Sequence, residues 1–237
     1  MKKEKKVTAA LLIIGDEILS GRTTDKNLNF LAVNLTEIGI SLSEVRVVGD
    51  FEDEIIAAVN ILREKYTYVF TSGGIGPTHD DITSESIAKA FGVKNELNRE
   101  AEEVLRSHYG VEVNEARLKM AKIPVGSTLL DNPISSAPGF RIENVFVMAG
   151  IPSIFQVMFH AAAKEIEGGA KIVAKEFKTD LVESQIAKPL ADLQKKYPDV
   201  AMGSYPFRGG TALVFRGTDE NKIDEASGKM LKKAKDI

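Results

Sequence analysis

Apolar positions along the chain alternate between two periods. Val7 to Ile14 is a run of eight residues, apolar on both faces as a strand inside a parallel sheet is, and it predicts a central first strand. Leu28, Leu31, Ala32, Leu35 and Ile38 then recur at helical spacing, with Thr24 or Asp25 as N-cap and Gly39 as the stop. Ser41 to Val48 reads as a second strand. Asp50 with Asp53 reads as a capping arrangement for a helix whose buried stripe is Ile55, Ile56, Val59 and Leu62. Tyr66 to Phe70 is a third strand, and a short helix carrying Ile87, Ala90 and Phe91 runs to Gly92. This β-α-β-α-β-α series predicts an α/β fold, a parallel sheet with helices on both faces.

The pattern then loosens. Asn98 to His108 and Glu115 to Ala121 read as polar helices in an excursion over the sheet's edge. Ala137 to Ile142 and Val145 to Met148 form a hairpin about Glu143-Asn144, and Pro152 opens a helix that continues to Glu167. Gly168-Gly169 marks the boundary between a domain of residues 1–168 and a smaller α+β domain of residues 169–237. In the smaller domain, Lys171 to Phe177, Val200 to Tyr205 and Thr211 to Phe215 read as strands. Glu183 to Leu193 and Asp219 to Lys235 read as helices.

The segment richest in candidate chemistry is Ser72-Gly73-Gly74-Ile75-Gly76-Pro77-Thr78-His79-Asp80-Asp81-Ile82-Thr83, between the third strand and a helix. Glycines let backbone N–H groups approach an anion closely, and carboxylates ahead of a helix suit a divalent cation bridging the same phosphates. The competing reading makes Gly-Gly and Gly-Pro plain turn signals, with Asp80, Asp81 or Thr83 capping the helix. A bare strand-to-helix connection needs only about two to six residues, so a segment this long favours a ligand. No Lys follows the glycines as in a P-loop, and no third glycine completes a G-x-G-x-x-G fingerprint.

Composition narrows the function classes. The 237 residues contain no cysteine, which excludes disulfides, thiolate metal sites and cysteine nucleophiles and fits a cytoplasmic protein. Met1 to Lys6 is basic, but the run after it ends in Gly15-Asp16-Glu17 with no cleavage pattern, so it reads as a strand and not a signal peptide. No segment approaches the ~20 apolar residues that cross a bilayer, so no membrane is expected. A net charge of -3 supplies no global field for nucleic acid, and none is expected as a partner.

The segment Gly73 to Thr83 resembles the signature of the molybdopterin-binding-domain superfamily. The likeness is nearest to the competence/damage-inducible protein A group and the N-terminal domain of FAD synthases. Ile14-Gly15-Asp16-Glu17-Ile18-Leu19-Ser20-Gly21, Asp25-Lys26-Asn27, Asn132-Pro133, Ala137-Pro138-Gly139-Phe140 and Gly150-Ile151-Pro152-Ser153 agree with it, and the resemblance covers residues 7 to 165. Glu183 to Ala187 and Gly203 to Pro206 resemble the second domain of the same group. The resemblance implies a three-layer α/β/α sandwich with a mostly parallel sheet, a small phosphorylated ligand (pterin or dinucleotide) and a homo-oligomer. Adenylyltransferases of the superfamily usually carry Gly-Gly-Thr-Gly followed by Arg-Asp. Ile75 and His79-Asp80-Asp81 stand there instead, which favours hydrolysis of a nucleotide pyrophosphate over adenylyl transfer. An amidase activity, tied in relatives to a further domain, is not expected of these 237 residues.

The roles that follow are specific. Asp80 and Asp81 are candidates for holding a divalent metal (Mg, Mn or Co) and for catalysis, with one of the two directed to the helix instead. Glu17 with Asp16 adds a carboxylate, as ligand or as the base that orients water, or is a solvated turn. Ser72, Gly73, Gly74 and Gly76 offer backbone N–H groups to phosphate, and Thr78 a hydroxyl. Asn27 reaches the same anion or lies on the surface. Gly139, Gly150 and Pro152 shape the pocket wall or are ordinary turns. His79 bonds phosphate or metal or is merely exposed, and His108 and His160 lack metal-ligand spacing. Two alternatives stay open: a molybdopterin adenylyltransferase or carrier, and a non-catalytic nucleotide-binding module.

Overall fold

A computed structural model describes residues 7–237, and the basic stretch Met1 to Lys6 lies outside them. The chain divides into two compact units: residues up to Thr36 with Ile40–Gly169, and Glu37–Gly39 with Ala170–Ile237.

In chain order, the first unit begins with β1 (Thr8–Ile14), α1 (Asp16–Leu19), α2 (Asn27–Glu37), β2 (Ser41–Val48), α3 (Glu52–Lys65), β3 (Tyr68–Ser72) and α4 (Thr83–Ala90). An excursion follows, made of β4 (Asn95–Leu97), α5 (Arg99–Tyr109), α6 (Glu115–Lys119) and β5 (Lys122–Pro124). The chain then returns through β6 (Thr128–Leu130), β7 (Gly139–Ile142), β8 (Val145–Met148) and α7 (Pro152–Ala162). The six-stranded sheet has the order β2-β1-β3-β8-β7-β6. β1 pairs in parallel with β2 and β3, and β3 in parallel with β8, while β7 runs antiparallel to β8 and β6.

Side chains alternate across these strands, so each strand feeds two cores. On one face Ala10, Leu12, Ile14, Val69, Val145 and Val147 pack with Ile55, Val59 and Leu62 of α3 and Ile87 of α4. On the other, Phe70 and Phe146 stack at 5.3 Å, and Phe159 of α7 meets Phe70 at 5.9 Å. Phe30 of α2 meets Phe155 and Phe159 edge-on at 6.3 and 5.7 Å. Each fully buried side chain of this size contributes about 1.5–3 kcal/mol relative to exposure. The result is the expected three-layer α/β/α sandwich on a mostly parallel sheet, with β1 inside it.

Four local expectations change. The third strand starts at Tyr68, because the Tyr66 N–H bonds Leu62 O and closes α3. Asp50 does not cap α3: the N-cap position is Phe51, with no side-chain bond, and the Asp50 carboxylate is held by Asp16. α7 stops at Ala162 and not at Glu167, since Lys164 N and Glu165 N turn back to Ala161 O and Ala162 O in tightened turns. The excursion is not purely helical, because β4 and β5 pair antiparallel within it. Three-residue strands carry too few positions to register a period.

The second unit comprises β9 (Val173–Thr179), α8 (Glu183–Lys196), β10 (Ala201–Phe207), β11 (Gly210–Gly217) and α9 (Glu220–Lys235). Its antiparallel sheet has the order β10-β11-β9. Leu213 and Phe215 of that sheet pack against Ile186 and Leu193 of α8 and Ile223 and Met230 of α9. Among the described residues no helix is long and apolar enough to cross a membrane.

Candidate functional site

Because β1, β2, β3 and β8 are mutually parallel, their carboxyl ends share one edge of the sheet, where open α/β sheets bind ligands. Gly15-Asp16-Glu17, Gly49-Asp50, Ser72-Gly73-Gly74 and Ala149-Gly150 all emerge there. Gly15 N donates to Val48 O and Gly73 N to Met148 O, each at 3.1 Å. The Gly73 and Gly150 backbones touch: a Cβ on Gly150 would lie 3.3 Å from Gly73 Cα. Asn27, the first residue of α2, is only 2% exposed. Its Nδ2 donates to Ser72 Oγ and to Gly150 O, both at 2.8 Å, so it joins the ends of β3 and β8 and does not lie on the surface. Its Oδ1 is buried with no partner among the described residues.

The glycine loop leaves the sheet through two left-handed residues, Gly73 (φ 110) and Gly74 (φ 68). It docks on the start of α4, where Thr83 N donates to Gly74 O and Thr83 Oγ1 to Gly73 O, each at 3.0 Å. These bonds revise the expected donor list. The Gly73 N–H is engaged within the sheet and is not offered to an anion. Among the described residues nothing accepts from the N–H groups of Gly74, Ile75 and Gly76, which form a consecutive run of donors at the glycine turn. The Thr78 hydroxyl is not free either. Thr78 N donates to Asp81 Oδ2 at 2.8 Å, and the hydroxyl donates to the same oxygen. Asp81 therefore closes its own loop and does not cap α4, whose N-cap position is Ile82 with no side-chain bond.

Carboxylates surround the loop. Asp50 Oδ2 accepts from Asp16 N at 3.0 Å. Burial pushes the Asp50 carboxyl above its ordinary 3.8, the neighbouring charges of Asp16, Glu17 and Asp80 push it further, and the Asp16 N–H opposes them. Asp80 goes the other way. The Thr78 hydroxyl beside it and its own N–H hold it below its ordinary value, helped by His79 and Lys119. Lys119 Nζ donates to Thr78 O, and His79, 99% exposed in its side chain, stands 3.8 Å from Asp80.

The hard oxygen donors of this edge suit Mg or Mn. Among the described residues no three His, Cys, Asp or Glu side chains lie close enough together to hold an ion. The expected Asp80–Asp81 pair is thus no preformed metal centre among the described residues, and Thr78 takes one of the two Asp81 oxygens. The carboxylates fit a cation shared with ligand phosphates, the usual way Mg is held. Elsewhere, Gly139 is buried in β7 opposite Leu130, where a Cβ would stand 2.5 Å from Val147 O, so sheet packing accounts for it. Pro152 opens α7 as expected. Asp50 is the residue that reading along the chain assigned elsewhere. The available signal was its place just after a strand, in a Gly-Asp pair like Gly15-Asp16.

The family profile described as "Probable molybdopterin binding domain" matches residues 10–167. The chain belongs to that family. A profile described as "FAD synthase, middle domain" matches residues 171–237 of this molybdopterin-binding-domain protein. A protein of Archaeoglobus fulgidus is 33% identical to it over 216 residues, 91% of this chain and 93% of that one. The "Probable FAD synthase" of Caenorhabditis elegans is 34% identical over 226 residues, 84% of this chain and 44% of that one. The crystal structure of CinA from Thermoplasma acidophilum is similar to this chain with a TM-score of 0.63 and 34% identity, over 67% of this chain and 98% of that one.

Proposed function

We propose that the first unit binds a phosphorylated pterin or nucleotide on its glycine loop and hydrolyses a nucleotide pyrophosphate of the ADP-ribose or FAD type with a divalent cation. One observation carries this reading: the free N–H groups of Gly74, Ile75 and Gly76 stand on the same sheet edge as Asp16, Glu17, Asp50 and Asp80. Backbone donors hold the phosphates, and Asp81 keeps the loop in shape through Thr78. Asp80 and Asp50 would hold the cation (Mg, Mn or Co) together with the ligand, and its chemistry there is to neutralise the phosphate charge. Glu17 orients the attacking water. The similarity to a probable FAD synthase across both units supports a flavin dinucleotide among the substrates.

The test is a turnover screen of ADP-ribose, FAD and related dinucleotides against Mg, Mn and Co. Release of AMP that stops with EDTA and is lost in Asp80→Ala supports the reading. A metal-loaded protein inert to the whole panel overturns it, and tight binding without turnover would make the chain a nucleotide-binding module. Family membership favours a second reading, a molybdopterin adenylyltransferase or carrier. ATP consumption that depends on molybdopterin would support that one, and failure to bind the pterin would dismiss it. The same proposal places the protein in the cytoplasm, in line with its lack of cysteine, as a homo-oligomer. The edge strand β2 leaves Val45 and Val47 partly exposed on one side, and light scattering of the purified protein gives the subunit number.

A further inference from the structure

The sheet of the second unit is covered on one face only. Phe177, Met202, Leu213 and Phe215 turn to the core they share with α8 and α9, so both helices of the unit lie on that face. Residues that alternate with these point the other way. Strand pairing sets Tyr205 in one row of the open face with Ala212 and Lys178, and Gly203 in the next with Val214 and Glu176. Two aromatic side chains stand in water there: Tyr205 is 50% exposed and Phe207, two residues on, is 43% exposed. The Tyr205 ring leans back along β10 over Gly203, where a Cβ would meet its Cε2 at 3.1 Å and its hydroxyl at 3.2 Å. Gly203 thus lets the ring lie down on the sheet.

Cations surround the rings. Lys178 Nζ stands 5.7 Å from the centre of the Phe207 ring. Arg208 follows Phe207 in the turn and Arg216 lies on β11, and among the described residues neither is in an ion pair. Glu176, the acid of this face, is 4.0 Å from Lys178. The net charge of -3, from which no nucleic-acid partner is expected, conceals this balance, since residues 170–237 hold 13 Lys and Arg against 10 Asp and Glu.

Three occupants differ in what they demand. A small molecule needs a concave site, and this face is open. A second copy seated face to face would set Lys178, Arg208 and Arg216 against their own equivalents, with Glu176 alone to answer them. A single strand of nucleic acid meets both needs, because its bases stack on aromatic faces and its phosphates meet the cations. Positions two apart on a strand are ~7 Å apart, which suits two successive bases splayed on a sheet. We infer that the open face of this sheet binds single-stranded nucleic acid, with bases stacked on Tyr205 and Phe207 and Lys178, Arg208 and Arg216 against the backbone. The glycine loop of the first unit takes no part in it.

Fluorescence anisotropy of the full chain with labelled strands of about ten nucleotides tests it. The arms are DNA and RNA of one sequence, an abasic strand of the same length and the DNA duplex. The natural chain is expected to bind base-bearing single strands about ten-fold more tightly than the abasic strand or the duplex, and the sugar it prefers names the source. Tyr205→Ala and Phe207→Ala should each weaken that binding roughly ten-fold and leave the abasic strand unaffected. Gly203→Val, which lifts the Tyr205 ring but keeps it, should do the same. Arg216→Met should reduce the slope of log affinity against log salt by about 0.7. Saturating pyrophosphate should change nothing. Thermal unfolding checks each variant, and if Gly203→Val does not fold, the two alanine variants at exposed positions carry the test. A natural chain that binds no single strand at low salt overturns the inference. So does binding that the abasic strand and both alanine variants reproduce in full, or that pyrophosphate displaces. Self-association in light scattering that is lost in Tyr205→Ala, without strand binding, would make the face an interface between copies instead.

Discussion

Asn27 donates its side-chain amide to Ser72 Oγ at 2.8 Å, joining the first residue of α2 to the last residue of β3. The same nitrogen donates to Gly150 O, and that carbonyl fixes the amide's orientation, because the reverse one would set two acceptors together. Asn27→Ala leaves the buried Ser72 hydroxyl without its donor, at about 1–3 kcal/mol, and also releases Gly150 O. We expect the melting temperature to fall by several degrees, at about 2–4 °C per kcal/mol for a chain of this size. Asn27→Asp, which sets a carboxylate oxygen against Gly150 O, should fall further. Calorimetry of the two variants checks both the size and the order.

Asp50 carries a prediction of opposite sign. Its carboxyl is raised above the ordinary 3.8 by burial and by the charges of Asp16, Glu17 and Asp80. An acid whose folded value is raised costs stability as pH climbs past its ordinary value, since the folded state holds the proton the unfolded chain has released. Asp50→Asn should therefore melt slightly higher at neutral pH without added metal, on the order of 1–2 °C. The difference should vanish below the ordinary 3.8, where both side chains are neutral. The same variant should bind a Mg-nucleotide more weakly than the natural chain, so melting curves with and without that ligand should cross in order.

Glu44 gives the reverse dependence on pH. It accepts from Lys65 Nζ at 2.7 Å, Tyr66 hydroxyl at 2.6 Å and Arg46 Nε at 2.7 Å. Lys65 foremost, then Tyr66 and Arg46, hold its carboxyl down from 4.5 to about 2. A lowered acid contributes stability that is complete above its ordinary value and is lost as pH falls toward the folded one. Glu44→Gln should melt below the natural chain at neutral pH, and the two should converge between about 4.5 and about 2. A gap that persists to the acid end of that window would assign the effect to packing.

Gly74 has φ 68, and its carbonyl anchors the loop to Thr83 N at 3.0 Å. Gly74→Ala places a side chain in the left-handed region, at a cost of roughly 1–2 kcal/mol. It also drives that side chain against the Thr83 side chain, whose Cβ would be 3.2 Å away. The loop then has to move. Binding of pyrophosphate should fall by more than about ten-fold while β1 and β3 keep their pairing, which hydrogen exchange of their amides would report.

Reading along the chain located the glycine loop, the first sheet strands and the helices around them, because each is marked by a local period or by a turn residue. It could not follow the partners of individual polar atoms. Asp50 looks like a helix cap in sequence, since Gly49-Asp50 precedes a helical stripe. The Asp16 N–H that claims it comes from a different strand end, 34 residues away. Thr78 and Asp81 look like two separate ligand groups, yet they bond each other across one turn. The β4–β5 pair is three residues on each side and shows no alternation at all.

By itself the sequence determined the layer architecture, since apolar runs buried on both faces and amphipathic stripes with glycine stops admit few other packings. It also determined where the chain turns left-handed after β3, because only glycine takes such turns freely at Gly73 and Gly74. Only the tertiary structure decided which donors remain free on the glycine loop, that Asn27 is a buried tie and not a surface residue, and that the sheet of the second unit keeps one face open. The reason is physical. Local periodicity reports which face of an element leaves water, whereas a hydrogen bond between strand ends depends on how separate elements meet in space.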